Sequence, residues 1–208
     1  MKTFGLIRAG LCALVIAGVG CSEALSEEWV SLFDGKTLSG WTKGGGTDTS
    51  RWEVKDGVIV GSGTASMLYS PKKYKNFKFR AEIKINDKGN SGLYFRSPVN
   101  NGDFGSGYEA QIDSTHSDPI RTGSLYGFCH VYKQIVPPDT WFTYEVEVVD
   151  KDWRGAVIPH ISVRVNGEEL YTYLDRGKTW TEEGYFAFQQ HDPGSRVEIR
   201  KIEVIELP

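Results

Sequence analysis

Apolar and polar residues alternate along most of the chain. In 77–86, Phe77, Phe79, Ala81, Ile83 and Ile85 alternate with Lys78, Arg80, Glu82, Lys84 and Asn86. In 141–149, Phe142, Tyr144, Val146 and Val148 alternate with Thr143, Glu145 and Glu147. In 160–166, Ile161, Val163 and Val165 alternate with His160, Ser162 and Arg164. A period of two residues predicts strands with one buried and one solvated face. No window beyond the first 28 residues carries a long 3.6-residue period. Asp56-Gly57 and Asn166-Gly167 sit between apolar runs and favour the positive φ of tight hairpins. Val197 and Ile199 are out of phase with Ile202 and Val204 by one residue, which predicts a bulge near Arg200-Lys201. About ten to thirteen short strands follow from this spacing. They predict an all-β fold, an antiparallel β-sandwich or jelly roll.

The first segment reads differently. Lys2 and Arg8 precede an apolar run at 9–19 that ends in Gly18-Val19-Gly20-Cys21. The run is shorter than the roughly 20 residues that cross a bilayer as a helix, and it suits a signal-peptide core. Small residues before a cysteine resemble a bacterial lipoprotein signal, in which Cys21 would be lipidated. The plainer alternative is an ordinary secretory signal. We expect a leader at 1–20, a tether at 21–28 and one domain at 29–208, held at the cell envelope outside the cytoplasm. A membrane partner is expected only through this anchor.

Charge narrows the partners. The net charge over 208 residues is −3, and the chain after the leader carries 22 Lys and Arg against 27 Asp and Glu. That balance argues against nucleic acid, which needs clustered cations. Beyond Cys12 and Cys21 the only cysteine is Cys129, so the domain must fold without an internal disulfide.

Three segments place chemically useful groups on a polar strand face. In 89–98 (GNSGLYFRSP), Leu93 and Phe95 would face the core while Tyr94 and Arg96 face away. The glycines there would let a ligand approach backbone. In 107–114 (GYEAQIDS), Glu109, Gln111 and Asp113 share one face, opposite Tyr108, Ala110 and Ile112. In 184–195 (GYFAFQQHDPGS), Gln189 and His191 lie opposite Phe186 and Phe188. Each has an ordinary reading: a solvated sheet face, a turn at His191-Asp192-Pro193-Gly194, a structural ion pair at Arg96. Glu109, Gln111 and Asp113 depart most from plain solubility, because no lysine stands among them. Phosphate loops, nucleophile elbows and HExxH spacing are missing. Spacing does not reveal a divalent metal site, although folding could assemble one from His191, Asp113, Glu109 or His116.

At these residues the chain resembles the bacterial 3-keto-disaccharide hydrolase family. The markers run in order over 29–207: WVSLFDGKTLSGW, RWEVKDGVIVG, GNSGLYFRSP, GYEAQID, TGSLYG, VNGEEL and FQQHDPGSRVEIRKI. The resemblance implies a concanavalin A-like jelly roll with sugar on a concave sheet, and cleavage of glycosides already oxidised at C3. A C3 ketone acidifies the C2 hydrogen; a base removes it, the enolate expels the C1 substituent, and water adds to the enone. His191 or Glu109 would be the base. Arg96, Gln111 or a bound cation would stabilise the enolate. Asp113, Tyr126 and Gln189 would hold hydroxyls, and Trp153, in the insertion-like stretch 150–159, would stack on a sugar face or pack on the sheet edge. Two rivals stand beside this reading. One is a binding module with no chemistry. The other is a retaining glycosidase using Glu109 and Asp113.

Overall fold

The structure, a computed structural model, describes residues 28–208; the leader and Cys21 lie outside the described residues. Thirteen strands build two antiparallel sheets, and no helix occurs among the described residues. In chain order they are β1 (Val30–Ser31), β2 (Thr42–Gly44), β3 (Arg51–Lys55), β4 (Val58–Ser62), β5 (Ser66–Tyr74), β6 (Phe77–Ile85), β7 (Asn90–Ser97), β8 (Tyr108–Asp113), β9 (Phe142–Trp153), β10 (Ala156–Val165), β11 (Glu168–Leu174), β12 (Gly184–Gln190) and β13 (Val197–Glu206). One sheet runs β11-β10-β9-β6-β13-β4-β3, with β1 added to β13; the other runs β2-β5-β12-β7-β8. The predicted all-β jelly-roll sandwich is the fold observed.

The alternation of the sequence becomes the two layers. Burial along β6 alternates strictly, with Phe77, Phe79, Ala81, Ile83 and Ile85 inward. They meet Leu93, Phe95, Phe186 and Phe188 of the opposing sheet in one apolar cluster. Phe186 is its hub: its ring centroid lies 4.8 Å from Tyr74, 4.6 Å from Phe77 and 4.5 Å from Phe79. Burying each such ring contributes roughly 1.5–3 kcal/mol before aromatic contacts are added.

The local signals hold as well. Asp56-Gly57 and Asn166-Gly167 turn with φ of 51° and 79°, and 53° and 79°. The register of β13 against β6 shifts between Arg200 and Glu203, and Lys201 takes φ 54°. That bulge returns Ile202 and Val204 to the core beside Ile199. A second bulge was not expected. In β7, Tyr94 pairs with Ala187 but Ser97 pairs with Tyr185, so β7 carries one extra residue, and Arg96 within it has φ 50°. The stretch 150–159 forms the far end of the β9–β10 hairpin, turned at Arg154-Gly155 with φ 55° and 84°.

Candidate active site

The outer face of the five-stranded sheet, turned away from the core, carries a cleft of about 480 Å³. That volume is within the range of small-molecule sites. Strands β7, β8 and β12 form its floor, and three loops wall it with Phe104, Asp118 and Trp180. The alternation that sends Leu93, Ala110 and Phe188 inward leaves Tyr94, Glu109, Gln111 and Gln189 on this floor, with His191 just beyond β12.

Glu109 is the central group. Its carboxylate lies over Gly92: a Cβ there would stand 2.4 Å from Glu109 Oε1 and 2.9 Å from its Cγ. The bareness of the GNSG segment thus serves a carboxylate rather than direct approach to backbone. Burial pushes the Glu109 carboxyl up to about 7; a hydrogen bond from Tyr94 opposes the rise and the charge of Asp118 adds to it. Burial, aided by Glu109, drives the Tyr94 hydroxyl far above its usual range, so it stays a donor. Gln189 Nε2 in turn donates to Tyr94 Oη at 3.1 Å. A chain from Gln189 through Tyr94 to Glu109 therefore fixes the carboxylate's place.

The two glutamines share a second feature. Gln111 Nε2 donates to Asn90 Oδ1 at 3.1 Å, yet its Oε1 is buried without a partner, and the same is true of Gln189 Oε1. A buried acceptor left unpaired costs about 1–3 kcal/mol. Two of them in one cleft favour a ligand rich in hydroxyl donors. Tyr126, 40% exposed, stands at the rim and donates to Asp118 Oδ2 at 3.2 Å; the Asp118 charge, then burial, raises its pKa. No Lys or Arg lines the cleft among the described residues.

His191 is half-exposed, and its Nδ1 lies 2.9 Å from Asp192 Oδ2. Phe104 packs flat on its ring at 6.2 Å, and His116 meets it edge-on at 5.8 Å. Although burial raises the Asp192 pKa, bonds from His191, Gly194 N and Ser195 hold it below the ordinary value.

Three expected positions lie elsewhere. Arg96 shares no face with Tyr94, because the β7 bulge turns it inward, and its side chain is fully buried. Its Nε donates to Lys75 O at 2.9 Å, Nη1 to Trp180 O at 3.0 Å, and Nη2 to Asp150 Oδ1 at 2.9 Å. Arg96 ties the two sheets together and holds the Trp180 wall. Asp113, at the end of β8, has no side-chain exposure because the 116–121 loop bonds over it: its Oδ1 accepts from His116 N at 2.9 Å and lies 3.2 Å from Arg121 Nη1. Burial raises its pKa despite these partners. It does not reach the cleft, so the Glu109–Asp113 pair of a retaining glycosidase is not assembled there. Trp153 belongs to the β9–β10 hairpin, with Arg154 against its ring at 5.4 Å, and is not among the residues of the cleft. Sequence alone places Tyr94 on the polar face but gives it no role, and it does not single out Asn90, Asp118, Phe104 or Trp180. Strand phase marks Tyr94, whereas the loop residues carry no periodic signal.

A two-sheet sandwich with a cleft of acids and amides on its outer face is a jelly roll of the concanavalin-like class. Within that class, the chain belongs to the 3-keto-alpha-glucoside-1,2-lyase-like domain family, whose family model matches residues 28–205. A 3-keto-disaccharide hydrolase of Bacteroides thetaiotaomicron is 36% identical over 81 residues, covering 34% of this chain and 28% of that protein. The match therefore spans under a third of that relative's length. A solved Parabacteroides distasonis protein, described as a candidate glycosyl hydrolase, superposes with a TM-score of 0.70 at 26% identity, covering 86% of this chain and 94% of that one. The carbohydrate-binding module CBM66 of Bacillus subtilis shares the fold, with a TM-score of 0.58 at 18% identity over 78% of this chain and 93% of the module.

Proposed function

We propose that this protein cleaves 3-keto-glycosides by proton abstraction at C2, elimination of the C1 substituent and hydration. The observation that carries the proposal is Glu109, a carboxyl raised to about 7 on the floor of a cleft whose glutamine oxygens lack partners. A base works best when its pKa lies near the working pH. Glu109 takes the C2 proton, and the C–H electron pair forms the enolate toward the C3 oxygen. The enolate collapses to a C1–C2 double bond and expels the aglycone oxygen, which takes the proton held by Glu109, directly or through water, and restores the carboxylate. Water then adds at C1 and a proton returns to C2, giving the 3-keto sugar and the free alcohol. Gln111 and Gln189 accept hydrogen bonds from sugar hydroxyls, Tyr126 bounds the cleft rim, and Trp180 offers an apolar wall. Family membership and the hydrolase name of the Bacteroides relative support the same substrate class. The leader and Cys21 support secretion and a lipid anchor at the envelope.

Three substrates test this reading: a 3-keto-glucoside, the same glucoside unoxidised, and the unoxidised sugar as a ligand in calorimetry. Turnover of the oxidised glycoside alone is the expected result. Turnover of the unoxidised glycoside would indicate conventional hydrolysis, and binding without any turnover would indicate a sugar-binding module.

A further inference from the structure

The geometry points to a divalent-cation site beside the cleft, formed by His116, His191 and Asp192 and suited to zinc or a similar ion. One ligand atom from each residue lies within 4.8 Å of the others. His191 Nδ1 is 2.9 Å and His116 Nε2 is 3.9 Å from the same oxygen, Asp192 Oδ2. Nitrogen and oxygen ligands about 2.0–2.2 Å from a tetrahedral ion stand roughly 3.4 Å from one another. The two observed separations bracket that spacing. Two imidazoles and a carboxylate are the donor set of an ion that keeps a coordination position open.

The ligands are held in place before any ion arrives. Asp192 Oδ1 accepts from Gly194 N at 2.8 Å and Ser195 N at 3.1 Å, and Oδ2 accepts from Ser195 Oγ at 3.0 Å. Phe104 supports the His191 ring. An ion would take the place of the hydrogen bond between His191 Nδ1 and Asp192 Oδ2, and a neutral His191 would then carry its proton on Nε2. Coordination through His116 Nε2 would place a proton on Nδ1 and open its 3.2 Å contact with the Asp118 N–H. That contact is the local cost of loading the site.

Charge supplies the second argument. Glu109 and Asp118 make the cleft acidic, and no Lys or Arg lines it among the described residues. Arg96, the cation expected to face an enolate, is committed to Asp150. A cation at His191, which borders the cleft, supplies the missing positive charge. Its role toward a C3 ketone rests on the reaction proposed above; its binding does not.

The test uses full-length protein in detergent, stripped with a chelator and titrated calorimetrically with Zn²⁺ and Mn²⁺. Co²⁺ absorption in the visible range reads nitrogen coordination directly. One ion per chain is expected. His116→Gln and His191→Gln should each weaken binding beyond the roughly 10–100-fold lost with a supporting partner. Glu109→Gln should bind like the wild type even if it turns over nothing. An ion bound with no turnover of oxidised glycosides supports the site and counts against the reaction. Absence of binding, or unchanged affinity in both histidine variants, overturns the site. Full turnover by the stripped protein without metal binding also overturns it, leaving His191–Asp192 as a proton-carrying pair.

Discussion

Replacing Glu109 by Gln should cut activity sharply and make the protein more stable, and the gain should depend on pH. A carboxyl raised from 4.5 to about 7 prefers its neutral form in the folded state. Its contribution to stability is complete below about 4.5, where both states hold the proton. It is lost as pH rises through about 7, where the unfolded chain ionises freely and the folded chain does so at a cost. A tenfold change in acidity corresponds to about 1.4 kcal/mol, so the rise at Glu109 amounts to about 3 kcal/mol above neutrality. Glutamine has the same shape, can still accept from Tyr94, and carries no charge. Urea unfolding of both proteins at pH 4 and pH 8.5 isolates the effect, because other titrations are common to both. The stability gap in favour of Glu109→Gln should widen by about 3 kcal/mol between these pH values. For a domain of this size that corresponds to roughly 6–12 °C in Tm at the higher pH. Turnover should fall about 10²–10⁴-fold. In the wild type, kcat/KM should rise with pH and level off above about 7, as the base loses its proton. Parallel stability curves for the two proteins would refute the strained-carboxylate argument, whatever the kinetics.

Further expectations concern the parts around Glu109. Gly92→Ala places a methyl 2.4 Å from Glu109 Oε1 and should displace the carboxylate without unfolding the sheet, lowering kcat by up to about 10²-fold while circular dichroism is unchanged. Arg96→Met leaves Asp150, with a side chain only 13% exposed, without its main partner, and should cost roughly 3–5 kcal/mol in urea unfolding while raising KM through the loosened Trp180 wall. Arg96→Lys should recover little of this, since one ammonium cannot reproduce the fork. Cys21→Ala should remove labelled fatty acid from the protein in cells; undiminished labelling would exclude the anchor.

Strand phase made much of the site readable in advance. Glu109, Gln111 and Gln189 reach the cleft because each stands one residue from an inward neighbour in an uninterrupted strand. The same rule misplaced Arg96, because a bulge adds one residue and moves everything after it to the other face. The β13 bulge was readable because apolar residues on both sides reveal the slip, whereas after Arg96 the sequence runs into Ser97-Pro98 and offers no second phase. In the sequence, Trp153 stays open between a sugar platform and a sheet-edge aromatic for a related reason. Arg154-Gly155 is not among the usual hairpin dipeptides, and the exposed hairpin end has no buried face to set a pattern. Asp113 follows the alternation, but His116 and Arg121 of the loop after β8 bond to it and keep it out of the cleft. Asp118, Phe104 and Trp180 reach the cleft from loops, where only the fold brings them together.

The proposed reaction begins with Glu109 removing the C2 proton of an oxidised sugar. The most direct measurement uses a 3-keto-glucoside carrying deuterium at C2 and follows release of that label into water alongside release of the aglycone. Enzyme-dependent loss of one deuterium per aglycone and a primary isotope effect on turnover are expected, and both should be lost with Glu109→Gln. Aglycone release with deuterium retained at C2 and no isotope effect would contradict the proposed reaction.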